Sequence, residues 1–157
     1  MASLKKVLKK KKYLKIKLKK IVTNHLEVKA KINGIKGRFI LDTGASNSCV
    51  GLDLKEYFNL ISEESEIKAA GAGATDMETQ RSQNNSLKIG DWKSTNCDLV
   101  LFDLSHVNAA LTQQNAKEVQ GIIGADVLES GKAFIDYSTK YLYLKKPKKK
   151  KVIKLPF

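Results

Sequence analysis

Residues 25–32 alternate apolar and polar side chains and run into a tight turn from which a second arm returns. Leu26, Val28, Ala30 and Ile32 fall in phase, Asn33-Gly34 follows, and Ile35 to Leu41 returns. Alternation with period two marks a strand with one buried face. Asn-Gly between two such runs marks a two-residue hairpin turn. The returning arm closes as Phe39-Ile40-Leu41-Asp42-Thr43-Gly44-Ala45-Ser46. A carboxylate beside buried apolar surface is unfavourable unless it is hydrogen-bonded or serves chemistry. The segment occurs once in 157 residues. A catalytic loop that needs two carboxylates would therefore draw the second from another copy of the chain.

The remaining pattern is that of many short strands. Tyr13 to Lys19 sets Leu14, Ile16 and Leu18 against lysines, a strand with a wet face. Leu52 to Phe58 reads as a short helix after Gly51. Ser65 to Ala70 and Thr75 to Ser82 flank Gly71-Ala72-Gly73, an extended hairpin with a small tip. Leu87 to Ile89 and Trp92 onward flank the tight turn Gly90-Asp91. Asp98 to Phe102 reads as a buried strand, and Ser105 to Lys117 as a polar loop with a helical turn. Gly121 to Gly124 reads as a short buried strand and Ala125 to Glu129 as a helix. Ala133 to Asp136 and Tyr141 to Leu144 form a last hairpin around Ser138-Thr139. This argues for a mostly-β closed barrel or sandwich with one or two short helices.

Charge divides the chain into three. Of 29 basic residues, ten lysines lie in residues 1–20 and seven in residues 145–157, leaving 12 against all 16 acids in between. The body, residues 21–145, is expected to form the packed domain. Residues 1–20 are a basic segment with a strand from 13, and residues 146–157 a basic tail. Such ends suit non-specific, salt-sensitive contact with nucleic acid or anionic lipid, or act only as solvated tails that aid solubility. No run approaches the twenty or so apolar residues of a membrane span, and the lysine-rich start lacks the apolar core of a secretory signal. Cys49 and Cys97 form no disulfide framework and have no His or Cys neighbours at metal-ligand spacing. The expectation is a cytoplasmic protein with two reduced thiols, no metal and no cofactor.

Two motifs together carry a family likeness. Ile40-Leu41-Asp42-Thr43-Gly44-Ala45-Ser46 after a strand, and Gly121-Ile122-Ile123-Gly124-Ala125-Asp126-Val127-Leu128 before the last hairpin, resemble the single-lobed aspartic proteases, the retropepsin-like family. The likeness spans roughly Leu26 to Leu144. It implies a homodimer in which two Asp42 carboxylates share a proton and activate a water for hydrolysis of a peptide or protein substrate. By the same resemblance Thr43 and Gly44 support the loop, and Ile122, Ile123 and Gly124 pass behind it. Gly44, Ala45 and Ser46 would contact the peptide, while Ala70, Gly71, Ala72 and Gly73 would belong to a flap that closes over it. Retroviral members usually carry an acid at the place of Ser46 and an Arg at the place of Ala125. Both are missing here, and Asp126 follows instead. Retroviral enzymes also interleave their chain ends into a dimer sheet, whereas lysine-rich ends would set like charges across strands.

Blander readings stand beside this one. Asp42 read alone is a turn aspartate bonding nearby N–H groups. Cys49 is a buried small hydrophobe, or a thiol nucleophile paired with a distant His. Gly71-Ala72-Gly73 lacks the Gly-Lys-Ser/Thr of a phosphate loop. Two other functions fit the chain: a non-catalytic peptide-binding or assembly module on the same fold, and a basic interaction protein acting through its tails.

Overall fold

The computed structural model describes residues 3–71 and 74–148, with side chains outside residues 65–77. Two strands, β3 (Leu26–Ile32) and β4 (Ile35–Leu41), form the expected hairpin. Asn33 has φ 51° and Gly34 φ 83°, the positive pair that a type I′ turn requires. The turn is tied down from outside: Asn33 Nδ2 donates to the Phe58 carbonyl at 2.9 Å, and its Oδ1 accepts from the Ser86 N–H at 3.0 Å.

Six strands close into a barrel. In addition to β3 and β4 they are β5 (Cys49–Gly51), β7 (Ala74–Ile89), β8 (Trp92–Phe102) and β9 (Gly121–Ile123). The hydrogen-bonded order runs β3-β4-β9-β5-β8-β7 and returns to β3 through Lys31↔Lys88 and Ile32↔Leu87. A closed ring leaves no free edge among its members. A two-residue strand, β2 (Lys19–Lys20), adds to β3, and β6 (Glu63–Gly71) adds to β7. Inward side chains fill the ring, among them Val28, Phe39, Val50, Leu87, Leu99 and Ile123.

A second sheet joins the two ends of the chain, in the order β1 (Tyr13–Lys17), β11 (Tyr141–Lys145), β10 (Phe134–Asp136). Lysines do not oppose lysines there. Lys15 lies opposite Tyr143, Lys17 opposite Tyr141, and Tyr13 opposite Lys145. Lys15 Nζ sits 3.8 Å from the centre of the Tyr141 ring, a cation–π contact that offsets charge crowding.

The architecture is the mostly-β, single-lobed barrel expected, with differences inside it. The two segments read as separate strands, Thr75–Ser82 and Leu87–Ile89, belong to one strand, β7, joined through register shifts between Ser82 and Leu87. Asn84 has φ 59°, and the buried Asn85 amide donates to Ser82 Oγ at 3.0 Å and to the Cys97 carbonyl at 3.3 Å. This bulge keeps the ladder going where the sequence reads as a break. Leu52–Leu54 forms a single 3₁₀ turn instead of a longer helix. Ser105–Gln113, expected as a loop, is a helix, α2. Its Leu111 and Val107 cover Ile40, Val119 and Ile122 on the outer wall of the barrel. Leu4–Lys10 also forms a helix, α1, with Leu8 buried. The remaining helix, α3 (Ala125–Ser130), lies where the sequence places it. None of these helices is long and apolar enough to cross a membrane.

Candidate active site

Asp42 leaves β4 one residue after the last rung of its parallel ladder with β9, Leu41↔Ile123. Its N–H donates to the Ile123 carbonyl at 2.9 Å. The chain then folds back on itself. Gly44 N–H donates to Asp42 Oδ1 at 2.9 Å, and Ala45 N–H to the Asp42 carbonyl at 3.2 Å. The second carboxylate oxygen accepts no hydrogen bond among the described residues. Asp42, Thr43, Gly44 and Ser46 are exposed at the barrel rim, and Ala45 is half-buried. The local turn that the blander reading anticipates is therefore present, but it uses only one oxygen.

Behind the loop sits the Ile122-Ile123-Gly124 segment. Ala125 N–H donates to the Ala45 carbonyl at 2.7 Å. A Cβ on Gly124 would lie 2.5 Å from that same carbonyl oxygen, so close approach of the two backbones requires glycine here. Ile123 is wholly buried, and Ile122 packs outward against α2.

One part of the site escapes sequence reasoning. Ser48 is wholly buried. Its N–H donates to both oxygens of Asp126 at 3.0 Å, and its hydroxyl donates to Asp126 Oδ1 at 2.7 Å. The Ser48 hydroxyl in turn accepts the Gly124 N–H at 2.8 Å. Asp126 also accepts from its own helix, from Val127 N–H at 2.8 Å. A carboxylate in the first turn of a helix is stabilised by the N–H groups exposed there. Asp126 and Ser48 thus clasp the far end of the Asp42 loop to the start of α3, where an acid at the place of Ser46 and an Arg at the place of Ala125 are absent. Among the described residues, Ser46 itself accepts a hydrogen bond from Asn47 Nδ2 alone, at 3.2 Å. The sequence signal was the acid following Gly124-Ala125; its partner lies 78 residues upstream.

Other singled-out residues stand apart. Gly71 ends β6, whereas Ala72 and Gly73 lie outside the described residues, as do the side chains at 70 and 71. Burial pushes the Cys49 thiol up to about 12, with Asp126 and Asp42 adding in the same direction. A neutral, enclosed thiol makes a poor nucleophile. His25 accompanies Thr23 at 2.7 Å, away from the loop in sequence and contact. Among the described residues no three His, Cys, Asp or Glu side chains gather as a metal site.

Beside the loop is an open cleft lined by Tyr13, Thr43, Leu128, Ala133, Phe134 and Ile135. Phe134 is 47% exposed and meets Tyr13 edge-on, with ring centroids 5.4 Å apart. Apolar surface therefore adjoins Thr43 directly.

The fold has solved counterparts. A retropepsin-like aspartic protease from Rickettsia conorii superposes with a TM-score of 0.55 at 18% identity, covering 84% of this chain and 91% of that one. The EIAV protease, solved in complex with the inhibitor HBY-793, gives 0.52 at 16% identity, over 71% and 92% of the two chains. The retroviral protease-like domain of Ddi1 from Leishmania major gives 0.53 at 15% identity, over 82% and 98%. These likenesses concern the fold. No curated protein matches the sequence. The family model for aspartyl proteases, however, matches residues 28–127, a span that contains Asp42, Ser48, Gly124 and Asp126. The chain belongs to the aspartyl protease family.

Proposed function

We propose that the chain is an aspartic endopeptidase that works as a homodimer, with one active site formed from two Asp42 loops. The observation that carries this reading is the state of Asp42. Its carboxylate stands exposed at the rim with one oxygen bound by Gly44 N–H and the other without a hydrogen-bond partner among the described residues, on a loop fixed from behind by Ile123 and by the Ser48–Asp126 clasp. Two such carboxylates at hydrogen-bonding distance cannot both ionise and share one proton.

In that pair the ionised Asp42 removes a proton from a water held between the two. The protonated partner hydrogen-bonds the carbonyl of the scissile peptide. The water oxygen bonds to the carbonyl carbon, and the resulting tetrahedral species gives up its amine after a proton reaches the nitrogen. The couple titrates as one unit. Thr43 holds the facing loop, and Gly44 offers its carbonyl to an extended substrate, whose strand-like backbone bonds supply binding while pockets read alternate side chains. Ala45 keeps the floor of the cleft low. The exposed Phe134 and the cleft beside Thr43 provide apolar surface for a partner to cover.

Two measurements test this. Asp42→Asn should reduce peptide cleavage by roughly 10²–10⁴-fold while sedimentation shows an unchanged dimer. Cleavage per chain should fall on dilution through the dissociation constant. Activity per chain that is independent of concentration would reject the shared site. Retention of the chain's biological effect in Asp42→Asn would favour a binding module on the same fold.

A further inference from the structure

The outer wall of the barrel carries a second feature that the proteolytic reading does not use. An open groove of about 570 Å³ is lined by Lys29 and Lys31 of β3, Lys36 and Arg38 of β4, and Lys88 of β7. The register sets these cations directly across from one another: Lys29 opposite Arg38, Lys31 opposite Lys36, and Lys31 again opposite Lys88. Lys93 of β8 continues the row opposite Lys88. Six of the twelve basic residues between positions 21 and 144 thus share one face, although that stretch carries more acids than bases. Arg38 is neutralised by Glu27 at 3.1 Å, but none of the five lysines forms an ion pair among the described residues. Asp91, in the β7–β8 turn, and Gln120 are the other polar side chains of the lining.

Like charges placed directly opposite in a sheet are destabilising. Among the described residues, paired strands elsewhere avoid them, as where β1 sets its lysines against tyrosines. Repeated opposition in one groove is what a site for an anion requires. We propose that this groove binds an acidic, extended peptide segment, at a position separate from Asp42. The spacing favours such a ligand. Lys29 and Lys31 stand two residues apart on one face, about 6.7 Å, which is also the repeat of alternate side chains in an extended peptide. No aromatic ring lines the groove, so it lacks the stacking surface on which single-stranded bases bind. Lys36 lies near the start of β4 and Asp42 just past its end, six residues on, about 20 Å along the strand direction. The identification of the ligand as part of a protein substrate rests on the proteolytic reading; the groove's affinity for acidic peptide does not.

The test uses the full-length chain carrying Asp42→Asn, so that binding is read without cleavage. A fluorescent peptide alternating Glu and Ala, its Gln–Ala counterpart and a labelled oligothymidine are titrated at low ionic strength. The triple variant Lys31→Gln, Lys36→Gln, Lys88→Gln is compared with Lys5→Gln, Lys117→Gln, Lys140→Gln, which removes equal charge from other surfaces. The expected result is that the Glu peptide binds, the Gln peptide does not, and the groove variant loses about tenfold in affinity while the control variant loses much less. Equal losses in both variants would assign binding to overall charge and overturn the inference. So would tighter binding of the oligothymidine through the same three lysines, or no binding of the Glu peptide at all. Binding of the Glu peptide through the groove by a wild-type chain that cleaves nothing supports the groove and counts against the proteolytic reading alone.

Discussion

Separating Ser48 from Asp126 should loosen the Asp42 loop by an amount the hydrogen bonds define. Asp126→Ala removes the acceptor of the Ser48 N–H and hydroxyl, and Ser48 is wholly buried. Hydrogen bonds to a charged group contribute about 1.5–3 kcal/mol, and a buried donor left without a partner costs about 1–3 kcal/mol. The loss for Asp126→Ala is therefore about 3 kcal/mol, or a fall of about 6–12 °C in Tm for a chain of this size. Ser48→Ala keeps the Ser48 backbone bond to Asp126 but strands the Gly124 N–H, at about 2 kcal/mol. Because both substitutions remove the same hydroxyl–carboxylate bond, the double variant should lose about 1–2 kcal/mol less than the sum of the singles.

Urea unfolding at one protein concentration, held well above any dimer constant, measures all three. Cleavage of a peptide by the folded variants should fall further than the folded fraction accounts for, because the loop that aims Asp42 has lost its rear support. Coupling below about 0.5 kcal/mol, the size seen for independent sites, would refute the claim that Ser48 and Asp126 act as one clasp. Asp126→Asn is the informative control. It keeps the shape and one acceptor, so full loss of stability there would locate the effect in the charge.

Four further outcomes follow. Gly124→Ala places a Cβ 2.5 Å from the Ala45 carbonyl and should destabilise by about 1–3 kcal/mol with loss of cleavage. Gly34→Ala, with φ +83° but open space around it, should cost about 1 kcal/mol and leave cleavage unchanged; thermal melts with a cleavage assay separate the two. Lys31→Gln relieves two like-charge oppositions and should raise stability by about 0.2–1 kcal/mol per pair at low salt, read by urea unfolding. Burial raises the Cys49 and Cys97 thiols from an ordinary 9.0 to about 12. Between those values the unfolded chain has lost protons that the folded chain retains, so stability should fall as pH rises above about 9. A melt series from pH 8 to 11 on the wild type and on Cys49→Ala would show a shallower fall in the variant.

What the sequence made legible is what depends on near neighbours. The Asn33-Gly34 turn, the strands on either side and the Asp42 loop follow from period-two alternation and one strong turn signal, and the structure reproduces the hairpin residue for residue. The helix Ser105–Gln113 was harder to see because its exposed residues are Ser105, His106, Ala109, Ala110, Thr112 and Gln113, a mixture without a strong helix signal. Leu104, Val107 and Leu111, spaced by three and four, were the available signal. The bulge that fuses Thr75–Ser82 with Leu87–Ile89 depends on a buried amide bonding across to Cys97, which no local pattern reports. The Ser48–Asp126 clasp was out of reach for the same reason. Its members are ordinary residues in sequence, and they meet only because β5 and β9 are neighbours in the barrel.

The register of the end-joining sheet limits how a second copy can complete the proposed site. Lysine-rich ends suggested repulsion between paired terminal strands, yet β1 meets β11 through alternating lysine and tyrosine. β11 is thereby bonded on both sides, to β1 and to β10. Among the described residues its backbone has no open edge to offer a partner. The free edges of this sheet belong to β1 and β10, and these strands carry Tyr13 and Phe134, the aromatic pair at the cleft beside Thr43. In the proposed homodimer, a partner that approaches Asp42 across that cleft covers Phe134. Replacement of Phe134 by Asp should therefore shift the monomer–dimer balance toward monomer while leaving the barrel folded, because the ring is half exposed in the single chain. Sedimentation read together with circular dichroism decides the point, and a dimer unaffected by Asp at 134 would place the contact elsewhere.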